Sequence, residues 1–172
     1  MVIRNGFVSN SSSSSFVVAF PEKPTSAEHV KRMLFGSDET FPNPYAGDMF
    51  GNREDRYDTL TIATTVFNDI KEQIPNDIQN IIEGFEGWLE GAPEMDYSSN
   101  HKPGSKEWRE SWDKYEKESD DYTKKYAANF IKPRTKMFIY TFEYSDNDGD
   151  YFCTLEHGGI FDKVDRVRVS RH

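Results

Sequence analysis

The sequence predicts an α+β fold, with several helices packed against a small antiparallel sheet made of an N-terminal strand and a C-terminal meander. Three observations predict it. Apolar residues recur at helical spacing through the middle of the chain, in Ile62/Val66/Phe67/Ile70/Ile74 and again in Ile78/Ile81/Ile82/Phe85/Leu89. β-rich runs occupy Phe16 to Phe20 and the stretch beyond Lys136. Prolines, glycines and serines punctuate the boundaries between these segments. At 172 residues the chain suits one domain, 1–172, preceded by a Ser-rich leader over 1–15.

In chain order, Gly6-Phe7-Val8-Ser9-Asn10 leads into five serines, Ser11 to Ser15, and then into Phe16-Val17-Val18-Ala19-Phe20. The apolar run reads as a buried strand, ended by Pro21 and Pro24. The serines admit three readings: an ordinary N-terminal segment, a recognition element anchored by the flanking Phe7 and Phe16, or a set of accessible hydroxyls open to modification. Thr25 or Ser26 caps a helix from Ala27 to Phe35, with Glu28 three residues after Thr25 in the manner of a capping box, and Gly36 stops it. Residues 37–56, with two prolines and many acids, read as a long loop.

A second helix is expected from Thr59 to Ile74, broken by Pro75. Asn76 or Asp77 then caps a third, which Gly84, Gly87 and Gly91 weaken toward its end. Residues 91–104 read as loop. The longest helix runs from Ser105 to Ile131, with Trp108, Trp112, Tyr115, Ser119, Tyr122 and Tyr126 forming one aromatic seam on a highly charged cylinder. Pairs such as Glu110/Lys114 and Asp120/Lys124 are ordered to support it. Lys136 to Tyr144 is a strand, Ser145 to Asp150 a hairpin turn centred on Asp148-Gly149, and Tyr151 to Glu156 a second strand. Val164, Val167 and Val169 suggest a last one.

Composition bounds the chemistry. The aromatic content, 13 Phe, 9 Tyr and 3 Trp, is enough to build a core and argues against a disordered chain. No apolar run approaches the roughly 18–20 residues of a membrane span. Cys153 is the only cysteine, so no intrachain disulfide forms, and a reducing cytoplasm is the simplest location. The formal net charge is −9, and the first hundred residues carry the whole surplus of acids. That balance argues against direct binding to nucleic acid phosphates, and leaves open an acidic surface that imitates nucleic acid toward a basic partner. Only the tail, with Lys163, Arg166, Arg168 and Arg171, forms a basic cluster.

The string GFVSNSSSSSF at 6–16 resembles a leader at the start of many uncharacterised bacteriophage and bacterial proteins. MLFG at 33–36 and EYSDNDGD and EHGGIF within 143–161 look like further recurring segments of the same group. The resemblance implies a phage-encoded or phage-like protein of the host cytoplasm or the virion. It carries no catalytic residue with it.

Two groups of side chains stand out as candidate sites. Phe7, Phe16, Tyr97, Trp108 and Trp112 are expected to contact a protein partner, either a host factor or a phage structural protein, in a non-enzymatic role needing no cofactor. Asp146, Asp148, Asp150, Glu156 and His157 form the densest set of metal-ligand types. They underlie an alternative, a small metal-dependent enzyme using calcium or another divalent cation. Their spacing does not match the helix-loop-helix calcium pattern, and Asp-Asn-Asp-Gly-Asp is more simply a solvated turn. The sequence contains no nucleophile-elbow motif.

Overall fold

The computed structural model describes residues 13–46, 54–95, 101–146 and 149–171. A three-stranded antiparallel sheet lies at its centre, with β1 (Ser13–Phe20) between β4 (Phe138–Ser145) and β5 (Asp165–Ser170). Val17 of β1 stands opposite both Thr141 and Val167. The N-terminal strand is thus the middle of the sheet, and seven of its eight residues are buried. A strand covered on both faces reads as a continuous apolar run rather than an alternation, as Phe16 to Phe20 does.

Each face of the sheet carries its own core. Phe16, Val18, Phe20, Tyr140, Phe142 and Tyr144 pack against α1 (Ala27–Phe35), α2 (Thr59–Ile70) and α5 (Asp150–His157). Val17, Ala19, Ile139 and Val169 face α3 (Ile78–Gly84) and the end of α4 (Lys106–Ile131). α3 lies so close that a Cβ on Gly84 would stand 2.7 Å from Thr141 Cγ2 and 2.9 Å from Val17 Cγ2.

The α+β class holds, and so do the helices expected at 27–35 and 105–131. Ser26, not Thr25, caps α1, accepting the His29 N–H at 3.2 Å. The His29 ring is half-buried between Thr25 and Glu22. Within 37–56, expected to be loop, Thr40–Pro42 forms β2, which pairs with β3 (Arg56–Asp58) in a small ribbon. Asp58 then caps α2 through the Thr61 N–H at 2.7 Å.

Four expectations need correction. α2 ends at Ile70 rather than Ile74, which is 71% exposed. The chain turns there so that Gln73 and Asn76 reach the outer edge of β4. Gln73 exchanges hydrogen bonds with the backbone of Thr141, while Asn76 bonds the backbone of Ile139 and the carbonyl of Met137. Two amide side chains thereby take the place of a neighbouring strand. α3 stops at Gly84, so Leu89 belongs to the turn that follows.

The serine run does not end before the strand. β1 begins at Ser13, and Ser14 and Ser15 are both 1% exposed, so these two hydroxyls are closed to modification. Finally, 151–156 is helix, not strand. Thr154, Leu155 and Glu156 are buried in succession, which the alternating faces of a half-exposed strand would not allow. With 150–157 helical, β4 and β5 are joined through α5 and pair with β1 rather than with each other.

Candidate functional site

The two groups of candidate residues lie in different parts of the fold. Of the metal-ligand types, the structure brings together Asp146 at the end of β4 with Glu156 and His157 on the last turn of α5. One ligand atom from each falls within 4.8 Å of the others. Asp148 lies outside the described residues. Asp150 opens α5, and its side chain is likewise outside the description.

Two residues that the sequence places in other groups, the serine run and the basic tail, complete the arrangement. Ser14, from the serine run, donates its hydroxyl to Glu156 Oε1 at 2.9 Å. Arg168 of β5 donates Nε–H to Ser14 Oγ at 3.0 Å, and its guanidinium lies 3.7 Å from Glu156 Oε1. The Asp146 backbone N–H donates to Glu156 Oε2 at 2.9 Å. His157 presents Nε2 to that same oxygen at 3.4 Å, while Nδ1 meets Arg168 at 3.1 Å. The Glu156 side chain is fully buried.

A buried carboxylate is stable only when its charge and lone pairs are answered, and here four elements answer them. Tyr45 stacks edge-on against His157 at 5.8 Å, and burial raises its hydroxyl pKa, helped by the nearby Cys153, Glu156 and Asp146. Asp146 Oδ1 is buried and finds no hydrogen-bond partner.

Asp146, Glu156 and His157 stand close enough to share an ion, and the protein's own groups compete for the same carboxylate. Both Glu156 oxygens are already engaged, and Arg168 places its own positive charge beside the carboxylate that a metal would need. Through one buried carboxylate the cluster ties β1, α5 and β5 to the residue that follows β4.

The aromatic candidates divide. Phe16 is a core residue, 3% exposed, its ring against Tyr144 and Phe161; it cannot contact a partner because the helices on that face cover it. Phe7 and Tyr97 lie outside the described residues. Trp108 and Trp112 are on α4, capped by Ser105 through the Trp108 N–H at 3.1 Å. From 106 to 121 no residue of this helix is buried; burial begins only at Thr123, Ala127 and Phe130. Trp108 and Trp112 stack on each other with ring centroids 5.6 Å apart and planes 16° apart, and Tyr115 continues the row. Trp112 remains 39% exposed.

Sequence reasoning missed a third tryptophan. Trp88, 71% exposed, sits in the turn after α3 between Gly87 and Gly91, both at positive φ. Its N–H donates to the Ser170 carbonyl at 2.9 Å, and Tyr122 Oη holds the same turn through the Glu90 carbonyl at 2.7 Å. A groove of about 350 Å³ runs between this turn and α4, lined by Trp88, Pro93, Met95, Tyr115 and Ser119 among others. The signal was present in the flanking glycines, which mark a turn and so free Trp88 from the helical stripe.

Comparison with protein-family models, with curated proteins and with solved structures finds no match for this chain.

Proposed function

We propose that this chain is a non-enzymatic protein-binding module. Its partner docks on the aromatic row of α4 and the neighbouring Trp88. The observation that carries the reading is the first half of α4: sixteen residues without a buried member, bearing two stacked tryptophans. Tryptophan and tyrosine supply large contact area at low entropic cost and dominate binding hot spots. Among the described residues, this partly exposed aromatic row joins neither core. In keeping with the resemblance of its leader, the partner is a host factor or a component of a phage assembly.

The test is affinity capture from host lysate with the full chain and with a Trp108→Ala/Trp112→Ala variant. A stoichiometric partner recovered by the parent and lost by the variant, at similar thermal stability, supports the reading. Equal recovery by both baits overturns it. Serine-run substitutions are unsuited to this purpose, because Ser14 and Ser15 hold the sheet together.

A further inference from the structure

We propose that the outer edge of β5 binds an acidic, extended peptide strand carrying an apolar residue between two carboxylates. This inference rests on the reading of the chain as a protein-binding module, and it names the form one partner segment takes.

The direction of the backbone groups comes from the register. The Arg171 N–H donates to the Ser13 carbonyl at 2.9 Å. Hydrogen-bonded and non-bonded pairs alternate along an antiparallel ladder, so Val167 and Val169 also turn their backbone groups to β1. Arg166, Arg168 and Ser170 turn theirs outward, and the Ser170 carbonyl is taken by the Trp88 N–H. Among the described residues no strand lies beyond β5. The N–H and C=O groups of Arg166 and Arg168 therefore form a short template for an added strand. The opposite edge of the sheet is different: Gln73 and Asn76 occupy it. Among the described residues, one edge is sealed by side chains and the other carries no strand.

Side chains on the two faces of β5 specify the occupant. A peptide residue opposite Arg166 or Arg168 lies on the same face as those guanidiniums, and the residue between them lies on the face of Val167. On that second face is a groove of about 370 Å³ lined by Trp88, Leu89, Tyr126 and Val167, with Glu90, Arg168 and Ser170 at its rim. The pattern read out is acid, apolar, acid. Arg168 is 37% and Arg166 32% exposed. Asp162 and Glu156 already neighbour them, but a guanidinium has five N–H donors, so each can accept a further carboxylate.

A second copy of the chain is the poorer occupant. With Ser170 taken, antiparallel pairing of two β5 edges sets an arginine opposite an arginine, which is destabilising. Each copy also carries a net charge of −9.

The test titrates the full chain with a synthetic, end-blocked peptide, Thr-Val-Glu-Phe-Glu-Val-Thr, following heat and amide hydrogen exchange. Binding is expected below about 1 mM, with the amides of Arg166 and Arg168 newly protected. A peptide with both glutamates changed to lysine should bind at least about tenfold more weakly. A peptide N-methylated at those two residues should not bind. Arg166→Pro, which deletes one outward N–H, should abolish binding, whereas Arg166→Ala keeps the N–H and should weaken it only severalfold. No binding at about 1 mM overturns the inference. So does equal binding of the N-methylated peptide, which keeps its force even if Arg166→Pro misfolds. A concentration-dependent dimer abolished by Arg166→Pro would assign the edge to a second copy and overturn it too. If the peptide fails while the Trp108→Ala/Trp112→Ala bait still loses its partner, the edge falls and the module reading stands; the converse separates them equally.

Discussion

Glu156 offers the sharpest test of how the sheet is held at its serine end. Glu156→Gln keeps the shape of the side chain and removes its charge. The Gln carbonyl can still accept the Asp146 N–H, now 2.9 Å from Oε2. Its amide nitrogen must then face Ser14, whose hydroxyl loses the acceptor it has at 2.9 Å, and Arg168 loses its counter-charge. A buried hydrogen bond to a charged group is worth about 1.5–3 kcal/mol. The Arg168 pair adds little, because that side chain is 37% exposed and water screens it. The expected loss is about 2–3 kcal/mol, or roughly 5–10 °C in Tm for a chain of this length. Thermal and urea unfolding followed by circular dichroism measure it. Ser14→Ala alone and the double variant complete a cycle, with an expected coupling of at least about 1 kcal/mol. Additive effects, or a Gln variant within about 0.5 kcal/mol of the parent, would refute the anchoring role. Calcium or manganese should leave the parent midpoint unchanged; a cation-induced rise absent from Glu156→Gln would give the carboxylate to a metal instead.

Two further outcomes follow from the sheet and its cores. Asn76→Ala removes the side-chain bonds to the Ile139 N–H and the Met137 carbonyl and forces alanine into a backbone with φ 61°, so urea unfolding should show a loss of about 2–4 kcal/mol. The variant should also self-associate on a sizing column, since the Ile139 N–H on the β4 edge is then uncovered while Gln73 still holds Thr141; a monomer of parental stability would contradict the sealing role. Burial raises the Asp69 carboxyl above its ordinary 3.8, an effect that the Tyr144 hydroxyl, bonded to it at 3.0 Å, opposes. The folded state therefore holds this proton more tightly than the unfolded one. That contribution is complete below 3.8 and is lost as pH rises through the raised value. Asp69→Asn should compare more favourably with the parent at pH 7 than at pH 4, read as the difference in Tm; an unchanged difference would contradict the burial argument.

Local signals made part of this fold legible. α1 and α4 follow from caps and periodicity that lie within a few residues of each other, Ser26 with His29 and Ser105 with Trp108. β1 was visible where its side chains are apolar and invisible at Ser13 to Ser15, where only pairing with residues far along the chain makes a strand. α5 was misread because Tyr, Phe, Cys and Thr favour strands, and its helicity is set by packing. Of the candidate site, Asp146, Glu156 and His157 are neighbours in sequence and were found together. Ser14 and Arg168 meet them only through the sheet, and no spacing in the chain announces that meeting.

The place of β1 at the middle of the sheet has a bearing on how the protein is made. The strand leaves the ribosome before its two neighbours, which are synthesised more than a hundred residues later. Until then, Phe16 to Phe20 is a newborn apolar segment with no sheet to enter. Helices such as α4 can form while they wait, but the scaffold that organises both cores closes last. A nascent chain stalled before β5 would expose this segment to chaperones and proteases. Pairing with β4 and β5 is therefore the step that takes this segment out of reach of both.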